Sequence, residues 1–193
     1  MSEAPKFIDD DIFTIANVFS AQECLELIAR AEEIGSEAAS VRIRSGPRMM
    51  PQVRNNTRVV LTDAELAEIM WVRVRDVLPR YDSQHAIGVD EQLRFYRYEP
   101  GQDFKRHKDG VATDSQGRQS KLSYLIYLNS DYTGGRTTFR DYIGQGENRE
   151  KIVRVIEPLT GSALLFRHQR WHESEPLESG VKYVLRIDVF FAS

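Results

Sequence analysis

The 193 residues contain one cysteine, Cys24. A disulfide framework and a cysteine-rich zinc site are therefore both excluded. No stretch approaches the ~18 consecutive apolar residues of a membrane-spanning helix, and no membrane association is expected. The first residues, MSEAPKFIDDD, are acidic and lack an apolar core, so they do not read as a secretory signal, and a cytoplasmic location is the expectation. Neither sign of charge dominates: 26 Lys and Arg against 29 Asp and Glu leave a net charge of −3. That balance does not suit a general nucleic-acid binder, and no nucleic-acid partner is expected. Internal repeats, low-complexity tracts and linkers are also missing. What remains is ordinary globular composition, 41% apolar and 28% charged, in a chain long enough for one domain.

Residues 1–193 read as a single domain with a helical part to about residue 90 and a mainly β part from about 91. Ser20-Ala21-Gln22-Glu23 is a capping box, followed by Leu25, Ile28, Ala29 and Ile34 at helical spacing up to Gly35. Cys24 on this helix reads as a small buried or half-buried side chain. Thr62-Asp63-Ala64-Glu65 is a second capping box, with Leu66, Ile69, Met70, Val74 and Val77 as the apolar stripe before Pro79. From residue 91 the pattern predicts strands near 92–98, 104–109, 120–128, 136–140, 152–156, 162–166 and 181–190, punctuated by glycines. Many short strands with Gly-rich turns argue a sandwich or barrel, with the two helices packed on one sheet, an α+β chain that is mainly β. Between the helices, Ala38 to Thr62 holds Arg42, Arg44, Arg48, Arg54 and Arg58 and no acid. This stretch is either a solvated surface loop or a lid, residues 38–58, whose arginines face an anionic or polar substrate.

Of four histidines, His85, His107, His168 and His172, only His107 has a carboxylate two positions on, Asp109. In a strand, i and i+2 share a face, so the two side chains converge. A third ligand is needed, and His172 and His168 both follow the apolar strand Ala163-Leu164-Leu165-Phe166. Two imidazoles and a carboxylate leave three positions open on a metal. That set suits Fe(II) binding a chelating cosubstrate and dioxygen together, better than a structural zinc site. On the last strand Lys182, Val184 and Arg186 share a face. Lys182 reads either as an exposed cation or as an inward one at the pocket floor, holding the far carboxylate of a chelating dicarboxylate.

Three runs resemble the prolyl 4-hydroxylase-like 2-oxoglutarate/Fe(II) dioxygenases. Arg97-Tyr98-Glu99-Pro100-Gly101-Gln102-Asp103-Phe104-Lys105-Arg106-His107-Lys108-Asp109-Gly110 is similar to the family's RYxPGxxFxxHxDG segment. Ser123–Asn129 with Gly134-Gly135-Arg136-Thr137-Thr138-Phe139 is similar to its YLN…GGxTxF stretch. Pro158–Phe166, then His172-Glu173-Ser174-Glu175-Pro176-Leu177 and Gly180-Val181-Lys182-Tyr183, resemble its closing pattern. The likeness covers about residues 91–191 in order.

This resemblance implies a double-stranded β-helix (jelly-roll) core. It makes His107, Asp109 and His172 the iron ligands, which selects His172 over His168, and a change at His168 is expected to be tolerated. It makes Lys182 the contact to the C5 carboxylate of 2-oxoglutarate, with Tyr127 sharing that carboxylate and Tyr98 lining its pocket. Arg186 is a second carboxylate contact or a substrate contact. The implied chemistry uses Fe(II), 2-oxoglutarate and O2, with ascorbate as reductant, and releases succinate and CO2. Related halogenases lack the carboxylate ligand, so Asp109 favours hydroxylation of an unactivated C–H. The substrate implied is a prolyl or other amino-acid residue of a peptide or protein, or an amino acid, with Arg54 and Arg58 as candidate contacts. The alternative is a non-catalytic jelly-roll protein that binds or senses a ligand.

Overall fold

Alternation along one strand, Lys182–Phe191, organises the molecule. Leu185 and Ile187 turn to one side of it, while Lys182, Val184 and Arg186 turn to the other and line a cavity. In the computed structural model, which describes residues 3–43, 46–144, 146 and 149–192, this strand sits near the middle of a nine-stranded sheet. The sheet runs Lys6–Asp9, Ile12–Ile15, Ala163–Arg167, Ser120–Tyr127, Lys182–Phe191, Gln92–Tyr98, Thr57–Thr62 and Glu37–Ala38, with Ala86–Val89 paired to the end of the central strand. Every pairing is antiparallel. A second, four-stranded sheet has the order Glu150–Ile156, Thr137–Ile143, His172–Ser174 and Phe104–His107.

Two cores result. One lies between the large sheet and the helices Ala21–Ile34 and Ala64–Val74, and contains Phe13, Leu27, Met70, Leu93, Leu165 and Ile187. The other contains Ile12, Leu125, Phe139, Leu164, Phe166 and Val184, drawn from both sheets. Two sheets closed over an inner core, with helices on the outside of one, make the expected jelly-roll architecture.

The first helix begins with the expected capping box: Ser20 Oγ accepts from Glu23 N, and Glu23 accepts from Ser20 N. Its buried face differs from the expected one. Cys24, Leu27 and Ala31 are buried, while Leu25 and Ile34 are 60% and 49% exposed. Both stripes have helical spacing, and Ile28 of the expected one still packs half-buried against the same core. The second helix is capped by Asp63, which accepts from Leu66 N, rather than by Thr62, the last residue of a strand. Leu66, Ala67, Met70 and Val74 are its buried residues. The first 90 residues also carry strands that the helical expectation omitted. Ile12–Ile15 pairs with Ala163–Arg167, and Thr57–Thr62 with Gln92–Tyr98, extending the large sheet on both sides. Strands of four and six residues give too little alternation to stand out before their partners are known.

Gly161 shows why one turn needs glycine. Its φ is +77°, and a Cβ there would sit 1.9 Å from Phe19 O. The turn lets Phe19 N donate to Gly161 O, which ties the entry to the first helix onto the sheet.

Candidate active site

The two histidines are brought together by register. On the small sheet His172 stands directly opposite His107, with ring centroids 4.2 Å apart. Asp109 lies two residues past His107, beyond the end of that strand, and its N–H donates to His168 O. One ligand atom from each of His107, Asp109 and His172 falls within 4.8 Å of the others.

The donor set fits a divalent iron. His107 Nδ1 donates to Lys105 O at 2.7 Å, and His172 Nδ1 donates to Arg170 O at 3.0 Å. A carbonyl can only accept, so both hydrogens sit on Nδ1 and both Nε2 lone pairs stay open. Those Nε2 atoms are 3.6 and 3.7 Å from the Asp109 oxygens. That is too long for a hydrogen bond, and suits ligand atoms each about 2.1 Å from one centre. Phe104 stacks on His107 with centroids 3.5 Å apart, and the Phe166 edge meets His172 at 4.5 Å, fixing both rings. Burial lowers the His172 pKa to about 4, against the opposing pull of Asp109. Burial alone would raise Asp109, yet the Arg186 guanidinium and the two imidazoles hold it well below the usual carboxylate range. Near neutral pH His172 is thus neutral and Asp109 is charged, the states a metal requires.

Lys182 lies on the large sheet, lining the same cavity. It is 2% exposed, its Nζ donates to Gly135 O and Ser174 Oγ, and it sits 5.0 Å above the Tyr98 ring. Among the described residues no carboxylate forms an ion pair with it. Burial lowers its pKa to about 7, with Glu175 alone opposing. Gly135 has φ +62°, and a Cβ there would press within 3.3 Å of Lys182 Cδ, so glycine keeps the carbonyl in reach.

Arg186 lines the cavity too, but its charge is matched. One Nη holds Asp109 at 2.9 Å and the other holds Asp188 at 2.8 Å, which in turn accepts from Arg94. Burial would lower its pKa, and the two carboxylates instead raise it well above the ordinary value. Tyr98 lines the cavity, while Tyr127 meets it only through Thr137, donating to Thr137 Oγ1 at 2.8 Å. Arg54 is 4% exposed and stacks over the rings of Tyr96 and Phe104 at 4.3 and 4.4 Å. Its Nε donates to Asn56, and its Nη2 has no hydrogen-bond partner among the described residues. Arg58 donates to Ser40, and burial followed by the charge of Arg54 lowers its pKa. Arg48 is exposed, and Arg44 lies outside the described residues.

Ser123, Thr137 and Ser174 carry no chemical signal in the sequence, where His168 stands only as a rival ligand. Ser123 donates to Asp109 Oδ2, and His168 lies behind it. The signal available was alternation: Ser123, Leu125 and Tyr127 share one face of an apolar strand, so the serine had to be buried and partnered.

Residues 93–187, about half of the chain, match the family model of the 2OG-Fe(II) oxygenase superfamily. The chain belongs to this superfamily. A putative prolyl 4-hydroxylase of Acanthamoeba polyphaga mimivirus is 27% identical over 133 residues, covering 61% of this chain and 55% of the relative. A PKHD-type hydroxylase of Synechococcus elongatus is 30% identical over 95 residues, covering 47% and 39%. The chain thus spans about half or less of the length of these curated relatives. Solved structures share the fold. A Trichoplax adhaerens prolyl hydroxylase, in complex with a hypoxia inducible factor peptide fragment, superposes with a TM-score of 0.67 at 18% identity, covering 94% of this chain and 84% of that one. A Pseudomonas putida prolyl-4-hydroxylase gives 0.64 at 16% identity, covering 95% and 94%. A viral collagen prolyl hydroxylase of Paramecium bursaria Chlorella virus-1, solved with 2OG, gives 0.63 at 19%, covering 94% and 96%. The superfamily match contains His107, Asp109, His172 and Lys182. No described helix is long and apolar enough to cross a membrane.

Proposed function

We propose that this oxygenase hydroxylates an unactivated C–H of a prolyl or other amino-acid residue, consuming 2-oxoglutarate and O2 and releasing succinate and CO2. The observation that carries this reading is Lys182, a buried cation with no carboxylate partner among the described residues, in the cavity that His107, Asp109 and His172 also line. An unpaired buried charge is costly, so the cavity favours an anion. A dicarboxylate that reaches both Lys182 and the triad meets that need and chelates the metal at its other end.

The chain's own part is binding and orientation. His107 Nε2, His172 Nε2 and an Asp109 oxygen would hold Fe(II), with ascorbate as the external reductant that keeps it ferrous. The bound iron supplies the oxidising power for cleaving dioxygen and oxidising the C–H. Lys182 and Ser174 grip the C5 carboxylate, and Tyr98 walls the same pocket. Tyr127 acts on it by setting the hydroxyl of Thr137. Phe104, Phe139 and Phe166 keep water from the imidazoles. Arg54 and Arg58 meet the primary substrate, a peptide or amino-acid-type molecule. Arg54 supports that role with a buried Nη2 that makes no hydrogen bond to the described residues, beside two rings that wall the cavity. A reducing compartment such as the cytoplasm suits ferrous iron and a lone free cysteine.

The test is succinate formation in the presence of Fe(II), 2-oxoglutarate and ascorbate, followed by mass spectrometry of proline-containing peptides for a gain of one oxygen atom. Slow succinate release without a peptide, accelerated by one of them, is the expected result. No succinate from iron-loaded protein under any condition sinks the reading in favour of a ligand-binding role.

A further inference from the structure

His107 and His172 are held in place by the ladder of the small sheet, but Asp109 is not. The strand Phe104–His107 ends before it, and the next regular strand starts at Ser120. A carboxylate outside the ladder has free rotation about two side-chain bonds unless other groups stop it. Two arms reach it. Arg186 Nη1 donates to Oδ1 at 2.9 Å. Ser123 Oγ donates to Oδ2 at 2.5 Å.

The second arm continues into the protein and has a single self-consistent direction. The Asp109 carboxylate only accepts, so the Ser123 hydrogen goes to Oδ2 and Ser123 Oγ takes the ring hydrogen of a neutral His168; Ser120 Oγ, which accepts Ala112 N–H at 2.8 Å, then gives its own hydrogen to His168 Nε2, also at 2.8 Å. That leaves Nε2 unprotonated and puts the ring hydrogen on Nδ1. His168 Nδ1–H then donates to Ser123 Oγ at 2.9 Å, and the Ser123 hydrogen is committed to Asp109. His168 also accepts the Asp109 backbone N–H through its carbonyl. Ser120, Ser123 and His168 are all buried, at 1%, 0% and 2% exposed, so water does not compete for these bonds.

We infer that Ser123, His168 and Ser120 form a positioning relay that fixes the Asp109 carboxylate for metal binding. His168 is then neither a ligand nor dispensable, which replaces the expectation that a change there is tolerated. The inference rests on the reading of His107, Asp109 and His172 as the metal site. The relay orients one carboxylate oxygen while Arg186 holds the other, so the carboxylate presents one fixed direction to the metal.

Co(II) binding to the full chain tests this without any turnover, by titration and by the visible ligand-field spectrum. Ser123→Ala is expected to weaken Co(II) binding by about 10–100-fold and to change the spectrum, as loss of such supporting bonds does at other metal sites. Ser123→Thr keeps the hydroxyl and is expected to stay within about threefold of wild type. His168→Asn keeps a donor near the Nδ1 position and is expected to bind more tightly than His168→Leu. The melting temperature of each metal-free variant separates loss of positioning from loss of fold, and the Ser123 pair serves if His168→Leu does not fold. Wild-type affinity and spectrum in both Ser123→Ala and a folded His168 variant overturn the relay. Wild-type protein that binds no Co(II), or binds it equally well after His107→Ala, overturns the metal reading and the relay with it.

Discussion

The two faces of the nine-stranded sheet do different work with the same strands. Toward the helices the strands present Tyr124, Ile126, Leu185 and Ile187, a wholly apolar layer apart from one phenol. On the opposite side the same two strands present Ser123, Tyr127, Lys182, Arg186 and Asp188, all buried or half-buried, interleaved with the apolar Leu125 and Val184. The first face holds the fold together through area removed from water. The second carries charges that dry protein tolerates only in pairs or against a ligand. Within that second face lies a further contrast. Among the described residues Arg186 is matched by two carboxylates and Lys182 by none, although they stand four residues apart on one strand. The matched cation is tied to Asp109, and the unmatched one is the proposed contact for the cosubstrate carboxylate.

The sharpest way to break the comparison is to exchange loss of function for loss of stability. Asp109→Ala or His172→Ala is expected to abolish metal binding and turnover while the melting temperature of the metal-free protein stays close to wild type. Ile187→Ala on the other face is expected to cost about 2–5 kcal/mol in denaturant unfolding and to leave metal affinity intact. If the ligand variants unfold and the core variant loses metal, the division of labour is wrong.

Lys182→Ala is expected to weaken 2-oxoglutarate binding by a factor of tens to thousands, the equivalent of ~2–5 kcal/mol, with Co(II) affinity little changed. A pH titration sharpens the point. The cationic form binds the carboxylate, and burial places its pKa near 7 in the free protein. As pH rises through that value the cation is lost, so apparent affinity is expected to fall by up to about tenfold per pH unit above it. Lys182→Arg, charged throughout, is expected to flatten the profile. Arg186→Met is expected instead to weaken metal binding, because it strips Asp109 of its ion pair.

Arg54→Ala is expected to reduce hydroxylation of the primary substrate by roughly tenfold or more, as loss of a charge-assisted contact would. Slow 2-oxoglutarate consumption without substrate should continue, and parallel loss of both rates together with melting temperature would instead mark Arg54 as structural. Tyr127→Phe should have a small effect, about 0.5–1.5 kcal/mol in cosubstrate affinity, since its hydroxyl acts through Thr137. An effect as large as that of Lys182→Ala would mean that the tyrosine reaches the carboxylate itself.

Much of the molecule is legible in its residues alone. They place a capping box at Ser20, seven strands from residue 92 onward close to where they occur, and the motif-borne residues His107, Asp109, His172 and Lys182 that the fold brings to one cavity. These are legible because capping, alternation and close ligand spacing are local, and because the motif spacing is specific. Only tertiary structure decided which stripe of the first helix is buried, since Leu25 and Leu27 both sit on helical spacing and the sheet chooses between them. It also decided that Ile12–Ile15 and Thr57–Thr62 are strands, because a short strand is stabilised by its partners rather than by its own pattern. The partners of Arg186 and His168 were set in the same way. Alternation put Arg186 on the Lys182 face, but whether a cation is free or paired depends on which carboxylate arrives beside it, and Asp109 comes from a segment 77 positions earlier in the chain. Long-range partners of this kind leave no periodic trace in the sequence, so the charge balance of the cavity appears only when the two sheets close over it.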